Sequence, residues 1–121
     1  MRFLLMHKLE EGTPGAHPPG AELLARAEGL VEEMMRAGVL LATEGLLPSS
    51  TGARVRVSAG RRIVTGGPFT ETEKVLAGFA LVQVRSREEA IEWAARFADV
   101  IGDVEMEVRQ VAGPRRSSEG R

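Results

Sequence analysis

The residues that could take part in binding or catalysis are most concentrated in segment 65–73, which reads Thr-Gly-Gly-Pro-Phe-Thr-Glu-Thr-Glu. Two glycines and a proline bend the backbone sharply, and an aromatic ring, hydroxyl groups and two carboxylates follow at once. Such a segment can present backbone N–H groups to a ligand and direct the Glu71 carboxylate into a cleft. The same residues also fit an elaborate turn in which Thr70 or Thr72 caps a short helix, and composition alone favours that structural role.

The other candidates for chemistry are isolated residues. His7 ends a predicted strand and His17 lies in a proline-rich loop, without the H-x-x-x-H or H-E-x-x-H spacing of a metal site. His7 can line a cleft and carry a proton, although a lone histidine at a strand end is more often a plain polar residue. Ser49 and Ser50 are interpreted as turn formers. No G-x-S-x-G, P-loop or G-x-G-x-x-G motif occurs, and we expect no metal and no cofactor.

The length and composition of the chain are typical of one ordinary globular domain. The 121 residues are 43% hydrophobic and 27% charged, with 16 basic and 17 acidic side chains. This near balance argues against nucleic-acid binding, which requires a basic surface. There is no cysteine, so disulfides, thiolate catalysis and cysteine-based metal sites are excluded. The first apolar run is four residues long, too short for a signal sequence or a membrane span, and we expect a cytoplasmic protein that does not bind membranes.

Hydrophobic periodicity predicts six strands and two helices. The predicted helices are 21–37, which ends before Gly38, and 87–98, which begins with a capping box of Ser86 and Glu89. The core stripe of the first helix includes Met35, and Glu92 and Arg96 are predicted to pair on the wet face of the second. The predicted strands are 2–8, 39–47, 53–58, 62–65, 78–85 and 104–111. A loop or single helical turn is predicted for 69–76, and 112–121 is expected to be a disordered tail after a domain of 1–111.

The order of these elements is the split βαβ arrangement of an α+β, ferredoxin-like fold with an added hairpin. Two helices cover one face of such a sheet. Residues 3–6 and 79–82 are apolar in succession, so a monomer would expose an apolar patch on the second face. We therefore expect a homodimer, a dimeric α+β barrel in which two sheets pack face to face. The alternative is a monomer whose own loop, 47–53 or 66–77, covers that face.

In its motifs and in the order of its elements, the chain resembles the YCII-related, or DGPF-domain, family of small bacterial proteins. The family signature is similar to residues 64–74, which read Val-Thr-Gly-Gly-Pro-Phe-Thr-Glu-Thr-Glu-Lys. A Gly-Phe strand and a Glu-Ala-Ile-Glu-Trp helix follow it at 78–79 and 89–93, and the resemblance spans nearly the whole chain apart from the tail. It implies a ferredoxin-like fold and a dimeric α+β barrel.

The chain departs from the family pattern at two polar positions. Gly66 stands where the signature has aspartate, and Leu47 stands where a histidine is expected after the second strand. Some relatives have been viewed as enzymes with a His–Asp pair near a cleft, and others have been associated with transcription initiation.

Two functions are compatible with these observations. The first is a homodimer with a small-molecule-binding cleft, with or without enzymatic activity, and the second is a non-catalytic interaction or regulatory module linked to transcription initiation. The missing aspartate and histidine favour the second. For the first, the predicted catalytic residues are His7, Glu44 and Glu71, and the predicted ligand contacts are Phe69, Thr72 and Arg109.

Overall fold

The structure, a computed structural model, describes residues 1–11, 20–69, 74–102 and 104–113. The helices and strands follow in the predicted order, with a 3-10 turn at Ser49–Thr51. The two helices are α1 (Ala21–Arg36) and α2 (Arg87–Ile101), and the strands are β1 (Arg2–Glu10), β2 (Leu40–Gly45), β3 (Ala53–Ser58), β4 (Arg61–Gly66), β5 (Lys74–Gln83) and β6 (Glu105–Gln110).

Four of the strands form one antiparallel sheet in the order β2-β5-β1-β6. The strands of the two βαβ halves are interleaved, because β5 lies between β1 and β2, and β1 lies between β5 and β6. This is the strand order of a ferredoxin-like fold, and the predicted α+β class is confirmed. The β3 and β4 strands pair only with each other and form a separate two-stranded sheet.

Both helices pack on one face of the four-stranded sheet. The strand register places Leu5 opposite Ala80, and Phe3 opposite Val82, on this face. Leu5, Val82 and Met34 of α1 are the largest fully buried side chains of the core. Alternating residues of β1 and β5 therefore supply the core, as the period of two in a strand requires.

The other face of the sheet, which we call the open face, carries Leu4, Met6, Phe79 and Leu81. These side chains are half-buried against one another. In the part of the chain that the structure describes, neither helix crosses the open face and the β3–β4 hairpin packs little against it. The dimeric barrel that would cover the open face stays a prediction.

Three local predictions differ from the structure. Met35 is 63% exposed, because the buried stripe of α1 follows the four-residue step from Leu30 to Met34 and leaves Met35 about 100° away. Arg96 does not bind Glu92 but forms two hydrogen bonds with Glu33 of α1, at 2.5 and 2.6 Å, so it ties the two helices together.

The third difference concerns the loop predicted for 69–76, which is wrong for its last three residues. The β5 strand begins at Lys74, which pairs with Glu10 at the end of β1. The rest of that predicted loop, 70–73, lies outside the described residues, as do His17 and 114–121 of the predicted tail. Neither helix of the described segments is long and apolar enough to cross a membrane.

The capping box before α2 is present in a modified form. The Glu89 N–H donates to the Ser86 hydroxyl at 3.1 Å, as predicted. The Glu89 carboxylate accepts from the backbone N–H of Arg85 at 3.0 Å, one residue before the cap. One donor of the first helical turn, the Glu89 N–H, and one donor before the cap, the Arg85 N–H, are therefore satisfied.

Adjacent methionines of α1 provide a matched test of the core. We expect Met34→Ala to lower the free energy of unfolding by about 3 kcal/mol, because the substitution leaves a cavity among fully buried neighbours. Met35→Ala, one residue away on the wet face, should change it by less than about 0.5 kcal/mol. Urea unfolding followed by circular dichroism measures both variants, and equal losses would contradict this assignment of the core face.

Candidate functional site

Ser49 joins three segments that are distant in the sequence. Its backbone N–H donates to Oε2 of Glu11 at 2.6 Å, and its hydroxyl donates to Oε1 of the same carboxylate. The hydroxyl oxygen also accepts from the backbone N–H of Phe69 at 2.9 Å. We call this group the serine junction: Glu11, Ser49 and Phe69. It fixes the end of β1, the 3-10 turn and the segment after β4 to one another.

Gly67 packs directly against the 3-10 turn. A Cβ at this position would lie 1.8 Å from the carbonyl oxygen of Ser49, which no side chain can occupy without a shift of the backbone. The Gly67 N–H donates to the carbonyl of Gly52 at 2.9 Å. A Cβ at Gly66, in contrast, would meet nothing within 4 Å. The second glycine of the Gly-Gly-Pro-Phe segment is therefore required by packing, and the first is not.

A cleft with a volume of about 400 Å³ opens beside the serine junction. Volumes of this size are typical of small-molecule sites. We call it the junction cleft; its apolar walls are Leu46, Leu47, Phe69, Val75 and Leu76. Ser49 and Thr51 contribute hydroxyl groups, and Arg54 and Lys74 contribute two cations.

Both cations of the junction cleft are held in place by neighbours. The Arg54 guanidinium lies 3.9 Å from the centre of the Phe69 ring, within the range of a cation–π interaction. The Lys74 ammonium lies 2.6 Å from Glu105. The hydrogen bond with Glu105 raises the pKa of Lys74, and the same bond lowers the pKa of Glu105. The cleft is thus an apolar space with a charged rim.

The structure places Phe69 in the wall of the junction cleft, while Glu71 and Thr72 lie outside the described residues. Glu44 and Arg109 are both on the open face, opposite Phe79 and Leu4 respectively. They belong to β2 and β6, the two edges of the sheet. Three strand spacings, about 14 Å, separate those edges, so the monomer does not bring Glu44 and Arg109 together.

Arg109 takes part in a row of ion pairs along the open face. It lies 3.2 Å from Glu107, which also binds Lys8 at 3.0 Å. The hydrogen bond from Lys8, followed by that from Arg109, lowers the pKa of Glu107. An incoming anion at Arg109 would therefore compete with Glu107.

His7 faces the helices and not the open face. It pairs with Gly78 of β5 and with Met106 of β6, which packs against the core. Its Nε2 atom is buried and has no hydrogen-bond partner among the described residues. Burial lowers the pKa of His7, so the ring is neutral at pH 7. The sheet therefore separates His7 from Glu44, and the predicted catalytic residues do not form one site in the monomer.

Comparison with known proteins places this arrangement in a family. Residues 1–111 match the YCII-related domain. The chain belongs to the YCII-related domain family. It is also 42% identical over 60 residues to an uncharacterised protein of Rhizobium meliloti (strain 1021), a match that covers 50% of this chain and 48% of the relative. The matched part of the chain thus spans about half the length of that curated relative.

Of the two departures from the family pattern, one lies in the wall of the junction cleft of this YCII-related domain and the other does not. Leu47, at the expected histidine position, lines the cleft and is 75% exposed. Gly66, at the expected aspartate position, ends β4 with open space beside it. In the described parts of the domain, no group of three acidic or histidine side chains could hold a metal ion.

The interpretation of Ser49 as a plain turn former does not include its main contacts, and no sequence pattern points to Glu11. The two residues are 38 positions apart, and no short-range pattern signals a hydrogen bond over that separation. The hint available in the sequence was the Pro-Ser-Ser turn itself, which holds a small hydroxyl residue in a short 3-10 turn.

Neighbouring serines test the serine junction. We expect Ser49→Ala to lower the free energy of unfolding of the YCII-related domain by about 2 kcal/mol, because the Phe69 N–H and the Glu11 carboxylate both lose a partner. Ser50→Ala, in the same turn but exposed, should change it by less than about 0.5 kcal/mol. Urea unfolding at pH 7 provides the measurement, and a Ser49→Ala value as small as the control would argue against the junction.

The lowered pKa of His7 predicts a pH dependence of stability. The unfolded chain binds a proton at His7 near the ordinary pKa of 6.5, whereas the folded chain binds it only at lower pH. The contribution of His7 is therefore complete above pH 6.5 and is lost as the pH falls from there through the folded pKa. We expect His7→Gln to flatten the slope of stability against pH just below 6.5. Unfolding curves at several pH values measure the slopes, and identical slopes would refute the prediction.

Proposed function

We propose that this YCII-related domain is a cytoplasmic homodimer that binds a small organic molecule in the junction cleft. The observation that carries the proposal is the cleft of about 400 Å³ whose walls are apolar and whose rim bears Arg54 and Lys74. Such a site suits a molecule with an apolar body and one anionic group, because the walls remove the body from water and the cations attract the charge.

The serine junction supports this proposal by preorganising one wall. Phe69 is held at its backbone by Ser49 and at its ring by Arg54. A wall that is already fixed loses little conformational entropy when a ligand binds, and this favours affinity.

Among the predicted site residues, Phe69 is proposed as an apolar wall of the cleft. Glu71 and Thr72 follow Phe69 by two and three residues in the sequence. Glu71 is therefore the proposed acid–base or hydrogen-bonding group if the domain is an enzyme, with Thr72 as a further ligand contact. His7, Glu44 and Arg109 would act there only if ligand binding or a second copy altered their surroundings.

The homodimer is supported by the open face. Leu4, Met6, Phe79 and Leu81 form an apolar strip across the two central strands, and a second copy could cover it around a two-fold axis. Glu44 and Arg109 would then lie near the interface, since both belong to the open face.

The second proposed function is a non-catalytic interaction or regulatory module linked to transcription initiation. The observation that favours it is Leu47, which places an apolar side chain in the cleft wall where the family pattern has a histidine. Ligand binding without turnover would be compatible with either function, whereas a stoichiometric protein partner that displaces cleft ligands would favour this one.

Native mass spectrometry of the protein as purified tests the first function most directly. We expect a species of twice the chain mass of 13.1 kDa, carrying an additional bound mass of a small molecule. A dimer without additional mass would support the homodimer and favour the interaction module over the ligand-binding function. A monomer without additional mass at all concentrations would refute the homodimer.

Two exposed leucines provide a matched pair for mapping the ligand. Leu47 lines the junction cleft, while Leu24 on α1 is also exposed but lies away from it. We expect octanoate and phenylacetate, two apolar carboxylates, to shift the amide resonances of Leu46 and Phe69 in NMR spectra. Leu47→Glu should weaken that binding roughly tenfold or more, a loss of about 1.4 kcal/mol, and Leu24→Glu should leave it unchanged. Equal affinities in the two variants would refute the cleft assignment.

A further inference from the structure

The outer edge of β6 has no strand beside it among the described residues. β6 is the last strand of the sheet, with β1 on its other side. The N–H of Val111 donates to the carbonyl of Arg2 at 2.8 Å. Because bonded pairs alternate along an antiparallel ladder, the main-chain groups of Met106, Val108 and Gln110 point away from β1. Such a row of unpaired donors and acceptors is a template for another strand.

The opposite edge of the sheet is less suited to pairing. The register of β2 against β5 shifts between Leu40 and Ala42, and a bulge of this kind is one of the features that protect an edge strand from other chains. The six residues of β6, in contrast, pair with β1 without a shift. β6 is therefore the regular edge of the sheet.

The sequence of β6 is self-complementary in one antiparallel register. Glu107 and Arg109 lie on the open face, whereas Met106 and Val108 lie on the face that packs against the helices. When Val108 of one copy lies opposite Val108 of a second copy, Glu107 falls opposite the partner's Arg109. Met106 then falls opposite the partner's Gln110, so the outward main-chain groups of the two copies also meet in bonded pairs.

This register arranges Glu107 and Arg109 of the two copies as a square of alternating charges. Within one chain the two side chains lie 3.2 Å apart, and across the edge each faces the opposite charge directly. Lys8 binds the same carboxylate from β1, on the side away from the edge. Opposed charges of opposite sign stabilise an antiparallel pair and like charges destabilise it. Pairing centred on Glu107 would oppose two carboxylates, so the charges favour the register centred on Val108.

An apolar groove of about 370 Å³ runs along the same edge, between α2 and β6. Its lining, apolar except for Arg87, includes Ile91, Ala95 and Ala98 of α2 together with Met106 and Val108. Ile91 is 40% exposed and Ala95 is exposed as well. α1 packs on the other side of α2, where Glu33 binds Arg96. The side of α2 beyond β6 therefore presents small apolar residues without cover in the described segments.

Pairing along β6 would bring the α2 helices of two copies side by side. α2 packs over β6 and β1, and a two-fold axis perpendicular to the sheet keeps both helices on the same face. The midlines of the two β1–β6 pairs are then two strand spacings, about 10 Å, apart. Packed helices are separated by about 8–10 Å, and alanines at the contact suit that approach. One movement thus covers both the strand edge and the groove.

We propose that β6 pairs antiparallel with β6 of a second copy of this chain, centred on Val108, and that the two α2 helices pack across this edge interface. The sheet then continues through both copies. The edge interface is separate from the open face and does not depend on it, so the two together would assemble two homodimers into a tetramer. A strand of another protein would find the same main-chain groups at β6 but not the matched charges.

The edge interface is smaller than a sheet packed face to face, so we expect it to form at higher protein concentration than the open-face homodimer. It is measured alone in the Leu81→Lys chain, in which a charge disrupts the centre of the open face. Gln110 is exposed, and Gln110→Pro removes its outward N–H without removing a bond to β1. Gln110→Ala, the control, keeps that N–H. Sedimentation velocity over a range of concentrations gives the dissociation constants, and circular dichroism confirms folding.

We expect Leu81→Lys to form dimers at high concentration. Gln110→Pro in that chain should raise the dissociation constant roughly tenfold or more, because each copy loses a hydrogen bond, and Gln110→Ala should change it less than about threefold. A Leu81→Lys chain that stays monomeric while the wild type is dimeric would overturn the edge interface and leave the homodimer intact. A wild-type dimer weakened by Gln110→Pro and not by Leu81→Lys would support the edge interface and refute the open-face homodimer.

The chain contains no cysteine, so disulfide trapping can test the register. Glu107 and the partner's Arg109 form a non-bonded pair with Cα atoms about 4.5 Å apart, a separation that a disulfide spans. Mixing a Glu107→Cys chain with an Arg109→Cys chain should give a covalent dimer on oxidation, and neither chain should give one alone.

Each other result of the trapping contradicts the proposal. A covalent dimer of Glu107→Cys with itself would place the two-fold axis at residue 107 and overturn the register. No covalent dimer in the mixture would overturn the pairing of β6 strands. If Arg109→Cys, expressed in cells, forms its disulfide with another protein and not with Glu107→Cys, the edge belongs to that protein and not to a second copy.

Discussion

The structure depends on the antiparallel pairing of β1 with β5, which runs from Arg2 opposite Gln83 to Glu10 opposite Lys74. One face of this pair supplies the buried centre of the core, Leu5 and Val82 among it. The length of the pairing also positions the serine junction and the junction cleft. Because β1 continues to Glu10, the next residue delivers its carboxylate to Ser49, and because β5 begins at Lys74, that ammonium reaches the rim of the junction cleft.

An irregularity in the same pair determines which face of the sheet Leu76 joins. The register skips Ala77, so Gly78 lies opposite His7 while Leu76 lies opposite Lys8. Without this bulge Leu76 and Gly78 would share a face. With it, Leu76 turns to the open face beside Lys8 and lines the junction cleft. His7 and Glu44 are separated by alternation alone, because their partners Gly78 and Phe79 are adjacent in β5 and therefore point to opposite faces.

Sequence patterns predicted the fold well where a local signal exists and failed where the cause is tertiary. The alternation in 53–58, the glycine that follows α1 and the Ser86 cap are local, and all three are in the structure. The apolar residues Val75 and Leu76 follow Lys74 directly, but the pairing that makes this stretch the start of β5 is with Leu9 and Glu10 across the sheet. Ser49 was missed for the same reason, because its partners are Glu11 and Phe69. Alternation likewise predicts that β3 is a strand, but it does not predict that its valines are exposed.

The two departures from the family pattern have different consequences for the candidate site. Open space beside Gly66 would admit a longer side chain, so the missing aspartate is a chemical difference and not a steric necessity. Leu47 then adds an apolar wall where an imidazole would have supplied a proton carrier. A cleft with this wall can remove an apolar body from water, whereas an imidazole at position 47 would have supplied a group for proton transfer. The apolar wall therefore favours the ligand binding proposed above over an acid–base reaction.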